Sequence, residues 1–293
     1  MNQQNWQSLS GAFLTQGQLG PFNFAIASAE QRAELPDDWP WTLLTPRGFE
    51  DNEGLMPSLL NLSALKPDDR RALFTQLENA RQDDEPAPLS ALLSAAVAPA
   101  AMARHLCQAQ MLVHQGQKSW LRIFDGRVWS QLPRVLNTQA MIGLYGPASR
   151  WATNLYGRWA LMMPPMPSSA QPTAPTAPTV AWEGLLRVGA VNRAFAQTNC
   201  LDWEDAINRS ARVDKLVQRA RHLYQLERLE DQVAFACYGI RYGDQFDSHP
   251  VVQREIAGWM AQSLEEREDS TVVDCLALIT DEQWAVIQTS AIE

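Results

Sequence analysis

The residues here that could do chemistry are four histidines, four cysteines and a scatter of carboxylates. His105, His114, His222 and His249 include no pair at i+3 or i+4, the spacing that sets two metal ligands on one helix face. Cys107, Cys200, Cys237 and Cys275 form no CxxC pair, and no HExxH is present. His105 and Cys107 fall on different sides of a helix. Spacing therefore calls for no metal. No GxSxG elbow marks a nucleophile, so any Cys–His pair would have to be assembled by the fold. Asp125 with Asp84 or Asp244 could be drawn as an acid/base pair. Asp125 already has a structural use, however, as a helix cap within reach of Arg122 and Arg127. Neither GxGxxG nor a P-loop opens a helix, so the sequence asks for no nucleotide and no cofactor, and no residue is assigned a catalytic role.

The elements that would position these residues are organised around Trp120–Trp129. Leu121 and Ile123 alternate with Arg122 among aromatic neighbours, which predicts a strand. Asp125 and Gly126 then make a turn, and Val128, Trp129, Leu132, Val135 and Leu136 recur at helical spacing. Met111–His114 and Ser119–Phe124 flank Gln115-Gly116-Gln117-Lys118, a hairpin signal. Strands are also expected at Phe22–Ala27, Trp41–Thr45, Pro88–Ala96 (where the alanines leave helix as an alternative) and Tyr156–Met163, with Leu55–Leu62 apolar but broken by proline. Helices are expected at Ala29–Leu35, from Pro67, at Ala98–Gln110 and from Asn137. Pro67-Asp68-Asp69 places proline and carboxylates where a helix start favours them. Val180–Val188 is read as one strand returning to the sheet. Beyond Gly189 the chain is helical, with the stripe Val213, Leu216, Val217, Ala220, Leu223, Tyr224, a helix Asp231–Tyr238 ending near Gly239 and Gly243, another from His249-Pro250, and a last one from Asp281.

A set of these residues, in this order, resembles the DUF4123 family. They are Arg104-His105-Leu106, the run Leu121-Arg122-Ile123-Phe124-Asp125 with Arg127-Val128, then Gly143-Leu144-Tyr145-Gly146-Pro147 and Trp151. The similarity runs from about Phe22 to about Trp159 and returns in the tail around Tyr238–Val252, including Tyr238-Gly239-Ile240 and Gly243-Asp244-Gln245-Phe246-Asp247. Gly126 stands where the resemblance would put proline; either suits a turn. The resemblance implies an adaptor chaperone of a bacterial type VI secretion system, which holds an effector and helps load it onto the VgrG spike. It also implies an α/β lobe followed by a helical lobe, and makes His105, Arg122, Asp125, Arg127, Gly146 and Pro147 structural motif residues.

Composition sets further bounds. Hydrophobic residues make up 46%, ample for a core, and no apolar run approaches the ~20 residues that cross a bilayer. Residues 1–6 show neither basic n-region nor apolar h-region, so no Sec signal is expected, and widely spaced cysteines suit a reduced cytoplasm. Residues 1–180 hold 13 Lys+Arg against 14 Asp+Glu; residues 181–293 hold 11 against 19. That acidic second part argues against nucleic acid and anionic membrane, and suits a basic or neutral protein partner as well as plain solubility. The proline-rich stretch 164–178, mostly Pro with Ser, Thr and Ala, reads as a spacer; no basic anchor flanks it as a polyproline ligand would require.

The expected architecture is thus α/β (α+β): a mixed-sheet lobe over 1–188, then a smaller all-helical lobe over 189–293. Trp120, Phe124 and Trp129 are expected in the core. Trp151, Tyr156, Trp159 and Trp203, with Tyr224, Tyr238 and Phe246, are the candidate partner-binding aromatics of a groove at the lobe junction. The expectation is a cytoplasmic, non-enzymatic adaptor binding an effector's N-terminal region and, transiently, VgrG. The alternatives are a hydrolase-like enzyme with a non-obvious site and an immunity-type protein that binds a toxin's catalytic domain.

Overall fold

The structure, a computed structural model, describes residues 7–8, 21–82, 87–155, 158–165, 182–198, 203–268 and 270–290. The chain divides into two compact units, Met1–Trp182 and Glu183–Glu293.

The first unit is built on a sheet of strands β1 (Gln7–Ser8), β2 (Phe24–Ala27), β3 (Trp41–Leu43), β4 (Ser58–Asn61), β5 (Ala91–Ala95), β8 (Ala148–Leu155) and β9 (Arg158–Met162), in the order β1-β9-β8-β5-β2-β4-β3. The α+β class holds. Every pairing is antiparallel, though, so the sheet is not mixed as the sequence suggested. Phe24 pairs with Leu93 and Leu93 with Trp151, so one face carries this row. The opposite face carries Ala25, Ala27, Leu60, Leu92, Ala152 and Trp159, and packs on Leu73 and Leu77 of helix α2 (Pro67–Gln82). The central strand β8 went unread in the sequence because Ser149, Arg150 and Asn154 break its apolar pattern. Both its faces are covered, so periodicity carries little signal.

Helix α1 (Ala29–Ala33) opens with a capping box between Ser28 and Gln31. Helix α3 (Pro99–Ala109) buries Met102, Ala103 and Leu106 and leads into a separate ribbon, β6 (Met111–His114) with β7 (Gln117–Trp120). Gln115 and Gly116 both have positive φ, 50° and 78°, as a tight two-residue hairpin turn requires. Gln117 and Lys118 therefore belong to the strand, not to the turn. The strand expected through Phe124 stops at Trp120. Beyond it the Leu121 N–H donates to the Gln110 carbonyl at 2.7 Å, and Ile123 to Leu121 and Asp125 to Arg122 curl the chain. Leu121, Ile123 and Phe124 are buried all the same. Short helices α4 (Gly126–Trp129), α5 (Leu132–Val135) and α6 (Thr138–Tyr145) follow.

The second unit is helical throughout its described residues. Its helices are α7 (Trp182–Gln197), which begins one residue before the unit boundary, α8 (Trp203–His222), α9 (Leu229–Tyr242), α10 (Pro250–Met260), α11 (Leu264–Glu268), α12 (Val272–Leu276) and α13 (Asp281–Ser290). The strand expected over Val180–Val188 is a correction: from Trp182 onward this is helix, with Leu185, Val188, Val191 and Phe195 buried at helical spacing. Of the two glycines expected near its end, helix α9 runs through Gly239 and stops at Gly243, which caps it at φ 105°. A side chain at Gly239 would overlap Leu216, so this glycine serves close helix packing. The stripe on α8 is real for Val213, Leu216, Val217 and Ala220, whereas Leu223 is exposed. Buried charge is paired: Arg187 Nε donates to Asp214 at 2.7 Å, and Asp231 accepts from the Val272 N–H at 2.9 Å and Arg228 Nε at 2.7 Å. Among the described residues no helix is long and apolar enough to cross a membrane.

Candidate functional site

Two residue constellations stand out, one in each unit. In the first, Asp125 caps α4 by accepting from the Arg127 N–H at 3.0 Å. The Arg127 guanidinium donates to both carboxylate oxygens, at 3.0 and 2.8 Å, and Arg122 approaches at 3.5 Å. The capping and pairing read from the sequence are both present. Gly126 is wedged against β8: a Cβ there would overlap the Asn154 carbonyl. Glycine at this turn is thus required by close backbone approach. His105 Nε2 donates to the Leu144 carbonyl at 3.0 Å, and its ring fills the space beside Gly146, which has φ 51°. Pro147 follows and starts the chain into β8. Trp151 stacks on Trp129 at 4.0 Å between centroids, with Tyr145 edge-on to both at 5.2 and 6.2 Å. All three rings are buried, and burial holds the Tyr145 phenol above its ordinary range.

The second constellation is an aromatic ladder. Tyr242 stacks on Trp284 at 4.1 Å, Tyr238 lies 5.1 Å from Trp284 and 6.2 Å from Phe246, and Phe235 bridges Phe246 and Tyr224 at 4.9 and 5.2 Å. Its lower end is fixed by charge. Asp247 is buried, accepts from the Tyr224 hydroxyl at 3.0 Å and lies 3.3 Å from Arg219 Nε. Burial, then the Asp247 charge, raises the Tyr224 phenol; burial, then Tyr242, raises that of Tyr238. Asp244, the other carboxylate weighed with Asp125, pairs with Arg212, and Asp84 lies outside the described residues.

The seven partner-binding candidates fall in both units. Trp151 and Trp159 are both buried and lie on opposite faces of the sheet, so they do not line one surface; in each case core packing takes the ring. Phe246 is likewise buried. Tyr224 and Tyr238 are half-buried and belong to the same ladder. Trp203 opens α8, and Tyr156 lies outside the described residues. Half-buried Tyr242 and buried Trp284, which complete the ladder, were missed. Tyr238 and Tyr242 stand at i, i+4 on one helix face, a signal that was available in the sequence.

A shallow cleft of about 230 Å³, lined by His249, Val251, Glu282, Gln283 and Val286, lies where the start of α10 meets α13. His249 Nδ1 is occupied there, accepting from the Val251 N–H at 3.3 Å as the cap of α10. No group of three His, Cys, Asp or Glu residues that could hold a metal occurs among the described residues. Comparison with protein-family models, with curated proteins and with solved structures finds no match for this chain.

Proposed function

We propose that this chain is an adaptor chaperone of the type VI secretion kind that its motif residues resemble. It acts in the cytoplasm, binds the N-terminal region of an effector, covers apolar surface that would otherwise aggregate, and brings the effector to the VgrG spike. The observation that carries the reading is the mutual packing of the motif residues. His105 meets Leu144 and Gly146, Asp125 meets Arg122 and Arg127, and Trp151 meets Tyr145 in the same unit, although they are spread over 47 sequence positions. A motif set held together by its own contacts is what a shared fold needs, and that supports carrying the family's role to this chain. The half-buried tyrosines Tyr224, Tyr238 and Tyr242 supply anchors of the type that interfaces favour, with large area and few rotors. Ordering an effector segment against such anchors would be a coupled folding and binding event.

The test is co-expression of the full chain with a type VI effector from the same bacterium. The expected result is a stable complex by size-exclusion chromatography and an effector that stays soluble only in the chain's presence. An effector equally soluble alone and eluting apart from the chain would defeat the proposal.

A further inference from the structure

The cleft of about 230 Å³ between the start of α10 and α13 is built from parts that the second unit holds in place. On α13, Trp284 and Ile287 are buried, and Trp284 stacks on Tyr242 at 4.1 Å. Helical spacing then sets Glu282 and Val286 on the opposite side of the helix, where both line the cleft. Val286 is 57% exposed, and Val251, which lines the cleft from α10, is half-buried. Two further walls are fixed. His249 caps α10, its Nδ1 accepting from the Val251 N–H at 3.3 Å. Gln283 is tied to Thr280: the Thr280 N–H donates to its Oε1 at 3.0 Å, and its own N–H donates to the Thr280 hydroxyl at 3.4 Å. Glu282 is exposed and makes no ion pair with a described residue. The tract that builds the cleft carries the same sign. Residues 249–290 hold two Lys+Arg against eight Asp+Glu. Arg254 is taken by Glu255 at 2.6 Å, Arg267 lies 5.7 Å from the Trp259 ring centroid, and neither lines the cleft.

We infer that this cleft takes the side chain of a lysine carried on a polypeptide segment of a protein partner. Lysine is apolar along its stem and charged at its tip. Its methylenes cover Val251 and Val286, and its ammonium meets the Glu282 carboxylate at the rim. Walls already held by the His249 cap and the Thr280–Gln283 pair need no ordering when the side chain enters. The acidic tract attracts a basic segment and repels an acidic one. A shallow cleft holds one side chain and no more, so useful affinity requires a chain that also lies along the acidic surface beside it; that favours a polypeptide over a small polyamine. This site goes beyond the adaptor reading and does not depend on it.

The experiment is fluorescence anisotropy of the full chain with a labelled peptide of alternating Lys and Ser, at low and at moderate salt. Binding is expected at low salt, weakening as salt rises. A peptide with 2,4-diaminobutyrate in place of each lysine has equal charge on a stem two methylenes shorter, and should bind about fivefold more weakly. The Glu282→Gln/Val286→Ser variant should bind the lysine peptide about tenfold more weakly. The Glu53→Gln/Leu55→Ser variant, which makes matching changes at exposed positions that do not line the cleft, should bind like the parent. Should the first variant fail to fold by circular dichroism, Glu282→Gln alone decides the matter through a smaller loss in the same direction. No binding, equal binding of the two peptides, or equal loss in both double variants would overturn the site. Displacement of the lysine peptide by spermidine at equal amine concentration would replace the polypeptide with a small polycation and overturn it as well.

Discussion

The aromatic cluster of the first unit is sealed, and that of the second is open along one edge. Trp129, Trp151 and Tyr145 are fully buried, pressed between the sheet and short helices whose approach depends on Gly126. Tyr224, Tyr238 and Tyr242 are only half-buried, and the ladder is pinned from within by Asp247 and Arg219. The contrast teaches that an aromatic near a motif is not thereby an anchor. The first unit uses its rings to hold a backbone geometry; the second leaves three tyrosines half-buried. Residues in the first unit should therefore be costly to stability, and the open edge of the second should be cheap to remove and important for binding.

Five substitutions or conditions would break or sharpen this contrast, in falling order of effect. Trp151→Ala should cost about 4 kcal/mol, since it removes a fully buried ring and leaves Trp129 without its stacking partner. Urea unfolding checks this, and a loss below about 1 kcal/mol would mean the cluster is not sealed. Asp214→Ala should cost about 3 kcal/mol by stranding the buried Arg187 charge, an effect that Arg187→Met in the same background should largely relieve. Gly126→Ala should cost about 2 kcal/mol, because the Asn154 carbonyl belongs to a central strand and cannot easily give way. The Tyr238→Ser/Tyr242→Ser double variant should leave a folded chain by circular dichroism while weakening effector capture; equal capture would close the open edge as a binding surface. The smallest effect is alkaline. Burial pushes the Cys237 thiol up to about 11 and the Cys275 thiol up to about 12, from an ordinary 9.0. Both are neutral in either state below pH 9, and above it the unfolded chain ionises first. Stability should therefore fall as pH climbs from 9 toward 11, and flat urea midpoints across that range would contradict the burial.

Much of this fold was legible where a residue type has one mechanical use. The Asp125 cap, the Pro67 helix start, the His249-Pro250 start and the hairpin around Gly116 could be read directly. The misreadings share a physical cause. Strand β8, buried on both faces, has no clean alternation, and Val180–Val188 is apolar enough to pass for a strand when its helical partners are distant in sequence. Gly239 reads as a helix stop until Leu216 is seen packing against it. The candidate site was less legible still. Tryptophan type and position near a motif did not separate the sealed Trp151 and Trp159 from the half-buried Tyr238, because exposure depends on which sheet face a residue takes and what covers it.

The most direct test of the adaptor account is affinity capture of the full chain from its own bacterium, with partners identified by mass spectrometry. The account predicts one large type VI effector in near-equal amount, with VgrG at most in traces, and loss of that effector in the Tyr238→Ser/Tyr242→Ser variant. A well-folded, abundant chain that retrieves neither effector nor VgrG would contradict it.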